Sequence, residues 1–126
     1  MKIKQIVLAL FSFIVVSCTA QTSKNIKVID PKAFAKKINE TPKAQILDVR
    51  TPEEYNANHI VKAINNNWNS DDFVSNAAKY DKSKPVFVYC KGGIRSAKAA
   101  AKLEELGFTT IYELKGGILK WNAEGL

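Results

Sequence analysis

Short apolar runs alternate with helical patterns from residue 26 to residue 123, and this alternation constrains the fold more than any other feature of the chain. The runs are IKVI (26–29), AQILDV (44–49), VKAINN (61–66), PVFVYC (85–90) and TTIYEL (109–114). PVFVYC is the clearest strand, with β-branched and aromatic residues opened by a proline. Between the runs lie helix signatures. Asp30-Pro31 supplies a cap and a first-turn proline before Phe34, Ala35 and Ile38, which share one face. Thr51-Pro52-Glu53-Glu54 opens a short helix with a threonine cap and first-turn carboxylates. Asp71 to Lys79 reads as a helix with Phe73, Val74, Ala77 and Ala78 inward. Arg95 to Leu106 places Ala99, Leu103 and Leu106 on one face before the stop at Gly107. Gly116-Gly117 then leads into a terminal helix holding Ile118, Leu119 and Trp121. Strict alternation of this kind predicts an α/β fold: a parallel sheet with helices on both faces. Such sheets bind ligands outside the carboxyl ends of their strands.

The chain's 126 residues suit one domain. An apolar fraction of 46% is enough for an ordinary core without a metal or disulfide staple. The first residues read differently. MKIKQ carries Lys2 and Lys4, an apolar stretch runs from Ile6 to Val16, and SCTAQTSKN follows. That pattern predicts a secretory signal, and the apolar stretch is shorter than the roughly 20 residues of a spanning helix. Val15-Val16-Ser17-Cys18 resembles a bacterial lipobox, which implies cleavage before Cys18 and lipidation of its sulfur. The expected organisation is a signal peptide over 1–17, a flexible tether over 18–25 and a folded domain over 26–126. The expected location is the cell envelope, as a periplasm-facing lipoprotein anchored in the membrane through Cys18. Secretion after cleavage near Ala20 and an uncleaved anchor are the alternatives. The net charge of +7 comes from scattered lysines, a solvated surface that suits anionic substrates and not a nucleic-acid-binding stripe.

The chain has two cysteines, Cys18 and Cys90. In an exported protein they form a disulfide, unless lipidation of Cys18 leaves Cys90 as a free thiol. Cys90 ends the clearest strand and opens the stretch CKGGIRSA. One reading makes Cys90 a buried apolar residue before a plain turn. The other makes the stretch an anion-binding loop. Gly92 and Gly93 allow backbone N–H groups to converge, and a helix start near Arg95 adds its own N–H groups and dipole. A cysteine so placed is biased towards its thiolate. Of the 19 basic residues only Arg50 and Arg95 are arginines, which points to sites where the planar guanidinium matters. No spacing suits a metal, and no cofactor is implied.

ILDVRTPEEYNANHI (46–60), VFVYCKGGIRSAKAAAKLEELGF (86–108) and LKGGILKWNAEGL (114–126) together resemble the rhodanese, or sulfurtransferase, domain family. The resemblance covers residues 26–126 and implies a five-stranded parallel sheet flanked by helices. It implies that Cys90 is the catalytic nucleophile, taking a sulfane sulfur from a small anion such as thiosulfate and passing it to cyanide or a thiol. Lys91, Gly92, Gly93, Ile94, Arg95 and Ser96 would form the substrate-binding loop. Their N–H groups would face the sulfur, Arg95 would receive the donor's oxyanion, and Lys91 would add charge at the mouth. Asp48 and Arg50 match the family's aspartate-x-arginine signature and would support that loop. Related phosphatases have five residues between cysteine and arginine; this chain has four, which favours sulfur over phosphate. His59 matches a position whose role is structural. Asn58 and Lys62 stand where the family usually has glycine, and AINNNW lacks its usual proline. A persulfide carrier fed by a partner, and a silent interaction domain, are the competing readings.

Overall fold

The computed structural model describes residues 23–126. The signal peptide, the lipobox and Cys18 lie outside the described residues. The elements are β1 (Ile26–Ile29), α1 (Pro31–Glu40), β2 (Gln45–Asp48), α2 (Pro52–Ala57), β3 (Ile64–Asn65), α3 (Phe73–Ala77), β4 (Val86–Tyr89), α4 (Ile94–Glu105), β5 (Ile111–Leu114) and α5 (Gly117–Ala123). The five strands form one sheet in the order β1-β5-β4-β2-β3, and every pairing is parallel. This is the architecture the alternation predicts. β4 sits in the middle, and all four of its residues are buried, so its apolar run lacks an outward polar face.

Side-chain alternation along the strands builds two cores. Leu47, Val49, Val86, Val88, Cys90 and Ile111 pack with Phe73, Ala77, Ala99, Ala100 and Leu103 on the face covered by α3 and α4. Ile46, Phe87, Tyr89 and Leu114 pack with Phe34 and Ile118 on the face covered by α1 and α5. Residue parity therefore decides which core each strand residue enters. It sends Cys90 to the α4 face and its neighbour Tyr89 to the other.

Three local expectations change. The strand expected over 61–66 shrinks to Ile64–Asn65, because Ala63 N–H bonds Ile60 O at 2.9 Å and Lys62 takes φ 69° in a tight turn. α3 is short, and its inward face is Phe73 and Ala77 alone; Val74 is 44% exposed and Ala78 is exposed. Residues four apart share a helix face, whereas their successors lie about 100° around the axis, here towards solvent. Asp30 precedes α1 as expected, but its side chain makes no capping bond and instead accepts from Lys120 Nζ at 3.1 Å. Among the described residues no helix is long and apolar enough to cross a membrane.

Candidate active site

Cys90 follows the last residue of β4 at the carboxyl end of the sheet, where parallel sheets bind ligands. It is 1% exposed, so the burial required by the plain-turn reading is present. The turn, however, is not plain. Gly93 adopts φ +114°, a conformation closed to most side chains, and directs its N–H onto Cys90 Sγ at 3.0 Å. Gly93 also caps α4, which begins at Ile94. Ser96, fully buried in the first turn, brings its Oγ to 3.3 Å from Sγ. The nest is narrower than the paired glycines suggested. Gly92 is not in the left-handed region, and a Cβ there would meet open space. Among the described residues, Gly93 supplies the backbone N–H that reaches the sulfur. Lys91 is exposed on the same loop, as is Ile94 at 77%.

Arg95 does not extend free into the loop to await an oxyanion, as expected. Its Nη1 and Nη2 donate to Glu54 Oε1 and Oε2 at 2.7 and 3.0 Å, a two-pronged ion pair. Glu54 is itself held by α2, whose first turn is a reciprocal capping box. Glu54 N–H donates to Thr51 Oγ1, and Thr51 N–H donates back to the Glu54 carboxylate. The hydrogen bond from Arg95 is the main cause that lowers the Glu54 pKa to about 2. Local sequence showed Glu54 only as a first-turn carboxylate; its partner lies 41 residues away.

Asp48 and Arg50 are buried and paired, with Nη2 to Oδ2 at 2.7 Å and Nε to Oδ1 at 3.0 Å. They do not bond the Cys90 loop, contrary to expectation. Parity places Asp48 on the α1–α5 face with Tyr89, whose hydroxyl donates to Asp48 Oδ2 at 2.7 Å and accepts from Ile60 N–H at 3.1 Å. Burial, followed by the bond to Asp48, pushes the Tyr89 hydroxyl pKa upward. Arg50 Nη2 also donates to Asn58 O at 2.7 Å. The pair thus fastens residues 58–60 to β2 and steadies Tyr89, the residue before the cysteine. Asn58 has φ −168°, extended backbone open to any residue, so the absence of glycine there costs nothing. His59 is exposed, with its Nδ1 2.9 Å from Tyr55 O and its ring stacked on Tyr55.

Two supports of the loop escaped the sequence reading. Gly117 lies directly beneath it: a Cβ there would fall 2.2 Å from Lys91 O and 2.7 Å from Cys90 O. This contact lets Ile118 N–H and Leu119 N–H donate to Cys90 O and Lys91 O at 2.9 and 3.2 Å. Glu113, the lone charge in the TTIYEL run, is buried on the α4 face and accepts from Ser96 Oγ at 2.9 Å. A carboxylate within an otherwise inward-facing parity was the available signal for it. A groove of about 830 Å³ is lined by Ile38, His59, Ile118 and Trp121, among others, and Cys90 is not part of it. Among the described residues no cluster of three or more histidines, cysteines or carboxylates could hold a metal ion.

The pattern of the rhodanese-like domain matches residues 30–124. The chain is 42% identical over 103 residues to the tRNA uridine(34) hydroxylase of Pelagibacter ubique, covering 79% of this chain and 34% of that protein. It is 42% identical over 82 residues to the Bacillus subtilis protein YqhL, covering 65% of this chain and 64% of the other. It therefore spans about a third of the length of the hydroxylase. A rhodanese-like domain protein from Staphylococcus aureus superposes with a TM-score of 0.67 at 32% identity, over 75% of this chain and 90% of that one. The Alr3790 protein of Anabaena sp. superposes with a TM-score of 0.70 at 32% identity, over 77% of each chain. Sheet order, loop and relatives agree, and this chain belongs to the rhodanese-like domain family.

Proposed function

We propose that the chain is a sulfurtransferase that carries a sulfane sulfur as a persulfide on Cys90. The observation that supports this most is the Gly93 N–H aimed at Sγ at 3.0 Å, at the mouth of α4. A donor N–H and a helix N-terminus lower the energy of sulfur in its anionic form. In the first step the Cys90 thiolate attacks the outer sulfur of thiosulfate. A new S–S bond forms, the donor's S–S bond breaks, and sulfite leaves with the electron pair. In the second step cyanide or a thiolate attacks the outer sulfur of the persulfide and Cys90 departs as thiolate. No outside oxidant or reductant is consumed.

Arg95 organises the loop through Glu54, and the exposed Lys91 supplies the charge that meets an incoming anion. Because Cys90 is 1% exposed, the attack requires the loop to yield. The shared domain carries this reading; the match covers 34% of the Pelagibacter hydroxylase, and the tRNA reaction in its name is said of that protein. Tethering to the envelope membrane through a lipidated Cys18 belongs to the same proposal.

The test uses residues 19–126 beside a Cys90→Ser variant. Both are reduced, incubated with thiosulfate and weighed by intact mass spectrometry, and then given cyanide. The expected result is one added sulfur on the wild type alone, lost as thiocyanate forms. No added sulfur rejects thiosulfate as donor; loading by a protein persulfide in its place would make the chain a partner-fed carrier.

A further inference from the structure

We propose that Glu113 is the proton acceptor for Cys90, with Ser96 as the relay between them. The three side chains form an unbroken buried chain: Cys90 Sγ to Ser96 Oγ at 3.3 Å, and Ser96 Oγ to Glu113 Oε1 at 2.9 Å. Cys90, Ser96 and Glu113 are all 5% exposed or less. Ser96 carries one hydroxyl proton and two lone pairs, so it can pass a proton in either direction. In one arrangement the thiol donates to Ser96 and Ser96 donates to a carboxylate. In the other, a protonated Glu113 donates to Ser96 and Ser96 donates to the thiolate. Going from the first to the second, the S–H bond breaks as a Ser96 O–H forms. The original Ser96 O–H breaks as the Glu113 O–H forms. The pair's net charge is unchanged, and no proton has to leave the core.

The surroundings decide where the single negative charge rests. The sulfur has the Gly93 N–H and the start of α4 beside it. Glu113 has Ser96 as its hydrogen-bond donor among the described residues. Among the described residues no salt bridge reaches Glu113. β1 pairs Val28 with it, β4 pairs Val88 with it, and Arg95 on α4 is bound to Glu54. Lys115, just past the end of β5, is exposed. Burial raises the Glu113 pKa, with the Ser96 bond opposing in part. A buried carboxyl without a counter-charge is biased towards its neutral form, so it is suited to hold the proton that Ser96 relays.

This inference rests on the nucleophilic role of Cys90, but its test needs no sulfur donor, so the two can fail separately. The infrared S–H stretch and the C=O stretch of a protonated buried carboxyl are followed against pH in the reduced wild type. Glu113→Gln assigns the carboxyl band and Cys90→Ser the thiol band. The expected result is that the S–H band disappears at a pH where the carboxyl band remains. Decay of both bands in two shared steps, the mark of a divided proton, also supports the proposal. Loss of the carboxyl band while S–H persists overturns it. Ser96→Ala is expected to delay loss of the S–H band by about one pH unit or more. Unchanged titrations in that variant overturn the relay. Should Glu113→Gln fail to fold, Glu113 remains the buried carboxyl with a raised pKa among the described residues, and the wild-type order of loss decides.

Discussion

Glu54 and Gly117 show how single residues hold the loop from outside it. Glu54 is pulled down to about 2 by Arg95, against an ordinary value of 4.5, so the pair's contribution to stability is complete above about pH 4.5. It is lost as pH falls through about 2. Both side chains are partly solvated, at 24% and 29% exposure, and solvent screening holds the contribution to about 1 kcal/mol. Glu54→Gln is therefore expected to lower stability by about 1 kcal/mol at neutral pH and to flatten the acid limb of a urea-denaturation series. An acid limb equal to wild type would contradict the pairing. The glycines divide by geometry. Gly117→Ala combines φ +64° with a Cβ on top of the Lys91 carbonyl, and is expected to cost about 3 kcal/mol and the loop's shape. Gly92→Ala meets nothing and should stay within about 0.5 kcal/mol of wild type. Thermal melts of the two variants, side by side, check the contrast.

Among the elements, the turn between α2 and β3 stores strain. Lys62 sits at φ 69° and Ala63 N–H closes the turn on Ile60 O. A left-handed residue with a Cβ costs about 1–2 kcal/mol, of which glycine recovers part after its own entropy loss. Lys62→Gly is expected to raise stability by about 0.5–1 kcal/mol, and Lys62→Val to lower it. Equal unfolding midpoints for all three would remove the strain argument. The same turn explains what was legible in the sequence. Long apolar runs and capping residues announced β1, β2, β4, β5, α1, α2, α4 and α5, because their signals are local. β3 came out shorter because a tight turn precedes it, and no local pattern reports a positive φ on lysine. At the site, Cys90, Gly93 and Ser96 were visible as one contiguous stretch. The engagement of Arg95 by Glu54, the bonds of Asp48 to Tyr89 and of Arg50 to Asn58, and the approach of Gly117 all depend on contacts across at least 8 residues of chain. Periodicity carries none of them.

At the scale of the whole molecule, topology and charge act together on the proposed reaction. The order β1-β5-β4-β2-β3 puts the carboxyl end of the central strand, and Cys90 with it, in the middle of one rim of the sheet. The chain's net charge is +7, and Lys91 is exposed beside the cysteine. A positive field of this kind raises the local concentration of an anionic donor and does nothing for a neutral one. Salt shortens its reach to about 8 Å at physiological ionic strength. The second-order rate of sulfur loading from thiosulfate, a dianion, is therefore expected to fall severalfold between low salt and about 0.15 M. Loading from an uncharged organic polysulfide should stay nearly constant over the same range. Stopped-time quenching followed by intact mass gives both rates on the same protein. Lys91→Gln should remove part of the thiosulfate salt dependence, while the neutral donor's rate holds. A thiosulfate rate indifferent to salt would mean that the anion is received by local hydrogen bonds alone, with the surface lysines serving solubility. Parallel salt effects on both donors would place the effect on the opening of the loop over Cys90, not on the approach of the donor.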